Sequence, residues 1–136
     1  MQQLLERYAT TYHGRDGVIK DTQSGLETRL SKPKEMGGSK AEGTNPEELF
    51  AMGYSSCLAS SMEYLLKNDG VTYDDLSVKA TAGLVMHPEK GFLFKLTVEA
   101  NIKGVSKDVE ASYIKNAYDF CPYSKAIRGN VEVTFK

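Results

Sequence analysis

The sequence lacks an excess of charge of either sign, a long apolar run and any close-spaced pair of metal ligands. Its 136 residues include 17 basic and 18 acidic side chains, and the net charge of −1 argues against a nucleic-acid-binding surface or a polybasic membrane anchor. Gly37-Gly38 has no lysine of the kind a phosphate-binding loop requires. The two cysteines and two histidines are scattered along the chain, so we expect no metal site and no bound cofactor.

An apolar leader and a membrane-spanning segment are also missing from the sequence. Residues 1–7 contain no apolar core of the kind found in signal peptides. The stretch 49–66 carries Glu63 as its one charge, but its serines and other small residues indicate a buried helix instead of a bilayer span. We therefore expect a cytoplasmic protein, in which a disulfide would be transient and catalytic.

The first third of the chain is typical of short strands joined by turns. Strands are predicted over 8–11, 17–22 and 25–30, and the Gly14-Arg15-Asp16-Gly17 turn separates the first two. A polar loop is predicted over 31–43. The remaining elements are longer and more regular.

Helix-start signals and alternating apolar residues define the rest of the chain. Thr44 or Asn45 can cap a helix, Pro46 suits its first turn, and Glu47 and Glu48 favour its positive end. The predicted elements, in chain order, are a helix over 44–67, strands over 76–86 and 92–102, a helix over 106–120, a short helical turn after Cys121-Pro122 and a strand over 131–135. The order β-β-β-α-β-β-α-β predicts an α+β fold, and the length predicts one domain over residues 1–136.

The first helix is apolar or small around most of its circumference. Phe50, Tyr54 and Leu58 lie along one side, while alanines and serines occupy much of the rest. A helix with so little polar surface should be buried on most faces, and one short chain with a single sheet would struggle to cover it. We therefore predict a homodimer with this helix near the interface; the alternative is a monomer that covers it with its own sheet and second helix.

The two cysteines suggest thiol redox chemistry. Cys57 lies within the first helix and Cys121 opens a Cys-Pro-Tyr-Ser-Lys segment, 64 residues further on. One reactive sulfur and a second that captures its oxidised form as a disulfide are what peroxide reduction needs. Cys121 can play the second role if the two Cα atoms lie within about 7 Å. A buried cysteine without chemistry is the plainer interpretation of Cys57.

A reactive Cys57 needs a cation, which its own helix does not offer. No lysine or arginine lies between Gly43 and Leu66, and Arg15 in the first turn is the best candidate to stabilise a thiolate. Glu47 can orient that guanidinium through a bidentate pair. Ten residues separate Glu47 from Cys57, about 15 Å along a straight helix, so they share a site only if the helix breaks near Gly53 or two subunits contribute.

Two other classes of function are open to this sequence. A cysteine hydrolase would pair Cys57 with His13 or His87, although neither histidine has an evident orienting partner. A non-catalytic redox sensor would oxidise the same cysteines once and bind a defined partner. Neither class explains why both cysteine segments occur together.

Several sequence blocks together resemble the organic hydroperoxide resistance proteins, a branch of the superfamily of osmotically inducible protein C. The blocks occur in the family's order and are Gly14-Arg15-Asp16-Gly17, Pro33-Lys34-Glu35-Met36-Gly37-Gly38, Gly43-Thr44-Asn45-Pro46-Glu47-Glu48-Leu49-Phe50, Gly53-Tyr54-Ser55-Ser56-Cys57 and Cys121-Pro122-Tyr123-Ser124-Lys125-Ala126. The likeness reaches from about Tyr8 to the C-terminus. The paired cysteine blocks and the Asn-Pro-Glu helix start are its specific parts.

The resemblance implies a thiol-dependent peroxidase that reduces organic, often fatty-acid, hydroperoxides. It implies that Cys57 is the peroxidatic thiolate, that Cys121 is the resolving thiol, and that Arg15 and Glu47 activate Cys57. It further implies an intertwined homodimer with sites at the subunit interface, recycled by dihydrolipoyl groups of a lipoylated protein or of dihydrolipoamide.

Two positions depart from the family's pattern. Leu58 stands where many relatives carry an aromatic residue, and Met52 stands where a smaller residue is usual. Both are predicted to line the substrate pocket. The sister branch with a broader peroxide range is the nearest alternative, but Tyr54 and the Tyr-Ser-Lys-Ala run after Pro122 favour the organic-peroxide branch.

Overall fold

The computed structural model describes residues 1–39 and 42–136, which divide into two compact units, Met1–Pro46 and Glu47–Lys136. Residues 40–41 of the predicted polar loop lie outside the described residues. The observed order is the predicted α+β order, including the short helical turn predicted after Cys121-Pro122, with one 3₁₀ turn added. The single domain over 1–136 stays a prediction.

The N-terminal unit contains a small antiparallel sheet. Its strands β1 (Thr10–Tyr12), β2 (Val18–Lys20) and β3 (Thr28–Arg29) pair in that order, and all three are shorter than the sequence predicts. Gly17 closes the predicted turn by donating its N–H to the Gly14 carbonyl at 2.9 Å. Any Cβ at Gly17 would collide with the Tyr12 carbonyl, which explains the glycine. A 3₁₀ turn over Lys34–Met36 lies in the segment predicted as loop.

The C-terminal unit contains three helices and a second sheet. Its elements are α1 (Pro46–Asn68), β4 (Asp75–His87), β5 (Gly91–Lys103), α2 (Lys107–Phe120), α3 (Pro122–Ile127) and β6 (Glu132–Phe135). The strand order is β4-β5-β6, with β5 and β6 parallel. Ser106 caps α2, because its side chain accepts the Val109 N–H at 3.2 Å. The expectation of a single sheet is wrong: the described residues form two three-stranded sheets.

The two long strands form a hairpin whose apolar stripes face the same way. Ala82 pairs with Leu96, and Ala80 pairs with Val98, so each predicted stripe meets the other across the ladder. His87 lies at the turn, where its Nδ1 accepts the N–H groups of Glu89 and Lys90 at 3.2 Å each. These two hydrogen bonds show that His87 stabilises the turn between β4 and β5.

One face of α1 forms the core of the C-terminal unit. Tyr54, Leu58, Met62 and Leu66 recur at helical spacing and are fully buried. They pack with side chains from β5 and from the α2–α3 region, namely Leu96, Val98, Ile102, Ala117, Cys121 and Ile127. The core therefore lies between α1, the hairpin and the segment that carries Cys121.

The opposite face of α1 is exposed in the single chain. Met52, Ser56, Ser60 and Tyr64 follow one another at four-residue spacing along it. The single chain therefore buries one face of the helix, whereas the composition predicts burial on most faces. In the part of the chain that the structure covers, no helix combines the length and apolar character needed to cross a bilayer.

Candidate active site

The two cysteine sulfurs are in direct contact. Their Sγ atoms lie 3.3 Å apart, and both thiols are free. Cys57 lies in the middle of α1 and is half-buried, whereas Cys121 has no exposed surface. Closing the remaining distance to the 2.05 Å of a disulfide bond requires about 1 Å of movement. The pair is therefore poised to form a disulfide between a partly exposed cysteine and a fully buried one.

The junction between two helices holds Cys121. Its backbone is extended, with φ −61° and ψ 123°, and it ends α2 and precedes α3. Its N–H donates to the Ala117 carbonyl at 2.8 Å, and its carbonyl accepts the Lys125 N–H at 3.0 Å. Pro122 occupies the first position of α3, where a missing N–H costs nothing. The backbone of Cys121 is thus held by hydrogen bonds to α2 on one side and to α3 on the other.

A buried hydrogen bond joins the two cysteine-bearing helices beside the sulfurs. The Tyr54 hydroxyl lies 2.8 Å from the Ser124 Oγ, and neither side chain has exposed surface. Tyr54 precedes Cys57 by three residues, and Ser124 follows Cys121 by three. Each polar group is therefore one helical turn from a sulfur. The sequence pattern places Tyr54 on the apolar side of the first helix, and it gives no separate role to Ser124.

Gly53 allows a second close contact between α1 and α3. A Cβ at this position would lie 2.8 Å from the Tyr123 hydroxyl and 3.0 Å from its ring. The Tyr123 side chain is 43% exposed, and its ring lies against α1 near the cysteine pair. Gly53 therefore makes room for the Tyr123 ring. It does not break the helix, because α1 is continuous from Pro46 to Asn68.

The surroundings of the two sulfurs act on their acidities in opposite directions. Burial raises the pKa of Cys57; the Tyr123 backbone N–H opposes this shift, and Cys121 adds to it. Burial also disfavours the Cys121 thiolate, but the Ser124 backbone N–H, the Cys57 thiol, the Ser124 hydroxyl and the Tyr123 N–H outweigh burial and lower the pKa of Cys121. The start of α3 therefore favours negative charge on Cys121, and a Cys57 thiolate needs a cation in addition.

The predicted activating pair occupies two different elements. Arg15 is half-buried in the β1–β2 turn of the N-terminal unit, and Glu47 is half-buried in the first turn of α1. Because α1 does not break at Gly53, its rise of about 1.5 Å per residue separates Glu47 from Cys57 by about 15 Å. Of the two routes by which they could share a site, a contribution from two subunits is the one left. The roles of Arg15 and Glu47 stay predictions.

The structure also shows where the two positions that depart from the family's pattern and the two histidines lie. Leu58 is fully buried in the core, so the prediction that it lines a pocket does not hold in the single chain. Met52 is 48% exposed on the outer face of α1. His13, with φ 64°, lies exposed just after β1, and His87 supports the hairpin turn.

Comparisons with known proteins agree on one family. The family model described as OsmC-like protein matches residues 37–136. An organic hydroperoxide resistance protein from Xanthomonas axonopodis pv. citri is 33% identical over 132 residues, covering 96% of this chain and 92% of its own length. The organic hydroperoxide resistance protein-like 2 of Staphylococcus epidermidis is 35% identical over 130 residues, covering 93% and 92%.

Solved structures give the same result. A crystal structure of an organic hydroperoxide resistance protein from Legionella pneumophila superimposes with a TM-score of 0.92 at 35% identity, covering 98% of this chain and 97% of that one. Organic hydroperoxide resistance protein OhrB of Bacillus subtilis gives 0.86 at 31% identity, covering 98% of each chain. The fold and the resemblance stated from the sequence are both confirmed.

Proposed function

This chain belongs to the OsmC-like protein family, and from that membership and its paired thiols we propose that it is a thiol peroxidase that reduces organic hydroperoxides. The observation that supports this most directly is the 3.3 Å contact between the half-buried Cys57 sulfur and the buried Cys121 sulfur. A thiol pair of this kind can oxidise, close and reopen without a bound metal or cofactor. Its relatives carry names that refer to organic hydroperoxides.

The first chemical step takes place at Cys57, because Cys121 has no surface for a peroxide to reach. The Cys57 thiolate attacks the distal peroxide oxygen, the O–O bond breaks, and the alkoxide leaves and takes up a proton to become the alcohol. Cys57 is now a sulfenic acid. The Cys121 sulfur attacks it, the S–O bond breaks, and water leaves as the disulfide forms.

The apolar surroundings of Cys57 favour an organic substrate. Cys57 is partly buried and packs against the hydrophobic core of the C-terminal unit. Each methylene that a substrate buries against such a surface contributes about 0.8 kcal/mol to binding. A bulky or fatty-acid-type hydroperoxide is therefore favoured over hydrogen peroxide.

The remaining parts of the proposal concern activation and recycling. Arg15 supplies the cation that Cys57 lacks on α1, Glu47 orients it, and the 15 Å between Glu47 and Cys57 is bridged by assembling the site from two subunits of a homodimer. A dithiol such as a dihydrolipoyl group, free or on a lipoylated protein, reduces the disulfide. We place this cycle in the cytoplasm, where such reductants keep thiols reduced.

Counting thiols after one equivalent of cumene hydroperoxide tests the proposal. The wild-type protein should go from two titratable thiols to none and recover both when dihydrolipoamide is added. Cys57→Ser should keep its remaining thiol, whereas Cys121→Ser should react once and stop as a sulfenic acid. Normal peroxide turnover by Cys57→Ser would refute the assignment. Loss of thiols without repeated turnover in wild-type protein would indicate a redox sensor instead.

A further inference from the structure

The cysteine pair lies in a seam between α1 and the segment that joins α2 to α3. On α1, Tyr64 follows Cys57 by seven residues, which is close to two full turns, so both side chains lie on the same side of the helix. On the facing segment, Phe120 immediately precedes Cys121. The sulfurs are 3.3 Å apart and the ring centroids of Tyr64 and Phe120 are 5.2 Å apart. The two aromatic rings therefore continue the seam that begins at the sulfurs.

The two rings form a flat and accessible surface, here called the aromatic platform. Their planes are 7° apart, and 56% of Tyr64 and 43% of Phe120 are exposed. Contiguous exposed aromatic surface with polar residues at its rim is typical of a binding site. The rise of α1 places Tyr64 about 10 Å from Cys57 along the helix axis. A long hydrocarbon chain that begins at Cys57 can therefore reach the platform, whereas a small alkyl group cannot.

A cation lies at the edge of the aromatic platform. The Lys125 Nζ atom is 5.7 Å from the centroid of the Phe120 ring. Two acidic side chains of these elements are already paired, Asp119 with Arg128 at 3.2 Å and Glu63 with the lysine one turn further along α1 at 2.9 Å. Among the residues that the structure describes, no carboxylate forms an ion pair with Lys125. Its ammonium group can therefore pair with an anionic ligand that lies on the platform.

We propose that the aromatic platform and Lys125 form the far end of the substrate site and select hydroperoxides whose hydrocarbon chain carries a carboxylate. The inference rests on the proposed function and makes Phe120 and Lys125 specificity-determining residues. The hydroperoxide group lies at Cys57, the chain follows the seam to the two rings, and the carboxylate accepts hydrogen bonds from the Lys125 ammonium group. Neither Phe120 nor Lys125 takes part in the sulfur chemistry.

The chain and the carboxylate contribute to binding in different ways. A hydrocarbon chain laid on the two rings removes apolar surface of both partners from water, so each methylene that reaches the platform strengthens binding. The ion pair with Lys125 is exposed, and water screens it, so it contributes less than the chain does. The chain therefore supplies most of the affinity, and the carboxylate determines in which direction along the seam the chain lies.

Three peroxides separate these two contributions. Linoleic acid hydroperoxide and its methyl ester share one chain and differ in the negative charge at its end. In tert-butyl hydroperoxide the alkyl group is too short to reach the platform from Cys57. The quantity measured is kcat/KM for each peroxide, with dihydrolipoamide as reductant, at low ionic strength and below the concentrations at which the lipids aggregate.

Variants of Lys125 test the carboxylate contact. Lys125→Gln should lower kcat/KM for the acid about threefold and leave the ester and tert-butyl hydroperoxide unchanged, because an exposed ion pair is lost. Lys125→Glu should lower it further and make the ester a better substrate than the acid. Lys115→Gln is the matched control: it removes another exposed lysine of the same unit and should leave all three values unchanged. Equal effects of Lys125→Gln on acid and ester, or no effect on either, would overturn the contact.

Variants of Phe120 test the platform, and Tyr64 is left unchanged because it also lies on the outer face of α1. Phe120→Ala should lower kcat/KM about tenfold for the acid and the ester alike and leave tert-butyl hydroperoxide unchanged, because only the long chains lose an apolar contact. Phe120→Leu keeps an apolar side chain, protects against loss of folding, and should recover most of the difference.

The short peroxide also separates the possible failures. An equal loss for tert-butyl hydroperoxide in Phe120→Ala would show that Phe120 acts on the neighbouring Cys121, and this result would overturn the platform. Wild-type protein that turns over none of the three peroxides would refute the proposed function itself.

Discussion

At the scale of single residues, the site depends on small side chains that let larger ones approach. Gly53 makes room for the Tyr123 ring against α1, and the small Ser124 side chain brings its hydroxyl within 2.8 Å of the Tyr54 hydroxyl. Gly53 and Ser124 both lie in sequence blocks that carry the family resemblance. Their actual roles depend on neighbours about 70 positions away in the chain.

Gly53 offers a prediction about stability. Alanine in a helix interior is more favourable than glycine by about 1 kcal/mol, but here its Cβ would push the half-exposed Tyr123 ring outward. We expect Gly53→Ala to change the free energy of unfolding by less than about 1 kcal/mol, because the two effects oppose each other. In a Tyr123→Ala background the same change should stabilise by about 1 kcal/mol, measured by urea denaturation. Equal effects in both backgrounds would contradict the contact.

At the scale of elements, a carboxylate ties α2 to the end of β5. Glu110 Oε2 accepts the Ile102 N–H at 2.8 Å, and its Oε1 accepts from Lys107 Nζ at 3.1 Å. The β5–β6 ladder covers Lys95 to Val98, so Ile102 lies beyond its end. The side chain of Glu110 therefore replaces a strand partner for the last part of β5. Its own side chain is 14% exposed.

This contact predicts how stability depends on pH. The Ile102 N–H and then Lys107 lower the pKa of Glu110 below its ordinary value. A lowered pKa in the folded state contributes stability above the unfolded pKa of about 4.3, and that contribution is lost as pH falls through the folded pKa. Glu110→Gln should be less stable than wild type at neutral pH, and the difference should shrink below about pH 4.

Urea denaturation over a pH series checks this expectation. Glu89→Gln is the matched control, because it removes the same charge from the exposed β4–β5 turn. It should show little difference from wild type at any pH. A Glu110→Gln difference that stays constant into the acid range would show that charge has no part in the contact.

At the scale of the whole molecule, the exposed outer face of α1 is the surface on which the proposed homodimer would form. Met52, Ser56, Ser60 and Tyr64 form an exposed stripe of apolar and small residues, and small residues let helices approach closely. The proposed role of Glu47 beside Cys57 also requires a second subunit, because α1 is continuous. The exposed stripe is therefore the observation that supports the proposed homodimer, and the proposed site is consistent with it.

The dimer prediction can be tested by placing a large charge on that stripe. Wild-type protein should have twice the mass of one chain by size-exclusion chromatography with light scattering, and Ser60→Arg should shift it toward one chain because an arginine cannot be desolvated there. Ser77→Arg puts the same residue on an exposed β4 position and should leave the mass unchanged. If Ser60→Arg stays dimeric with unaltered peroxide turnover, the stripe is not the interface.

Much of the fold could be predicted because its signals are local. The helix-start signals over residues 44–48 and the apolar alternation along β4 and β5 indicate where helices and strands begin, and the structure agrees to within a few residues. The N-terminal strands were predicted too long, since short polar strands carry little periodicity. The parallel pairing of β6 with β5 brings together residues 37 positions apart, such as Lys95 and Glu132, which no local pattern encodes.

Residue types and their order identify the chemistry open to this protein: two thiols, one arginine in a tight turn and a carboxylate at a helix start, in the order of a known family. Packing brings the two sulfurs within 3.3 Å of each other, buries Cys121 while Cys57 stays partly exposed, and joins Tyr54 to Ser124. The reason is physical. Residue type sets which bonds a side chain can make, but burial and distance depend on packing between segments far apart in the chain.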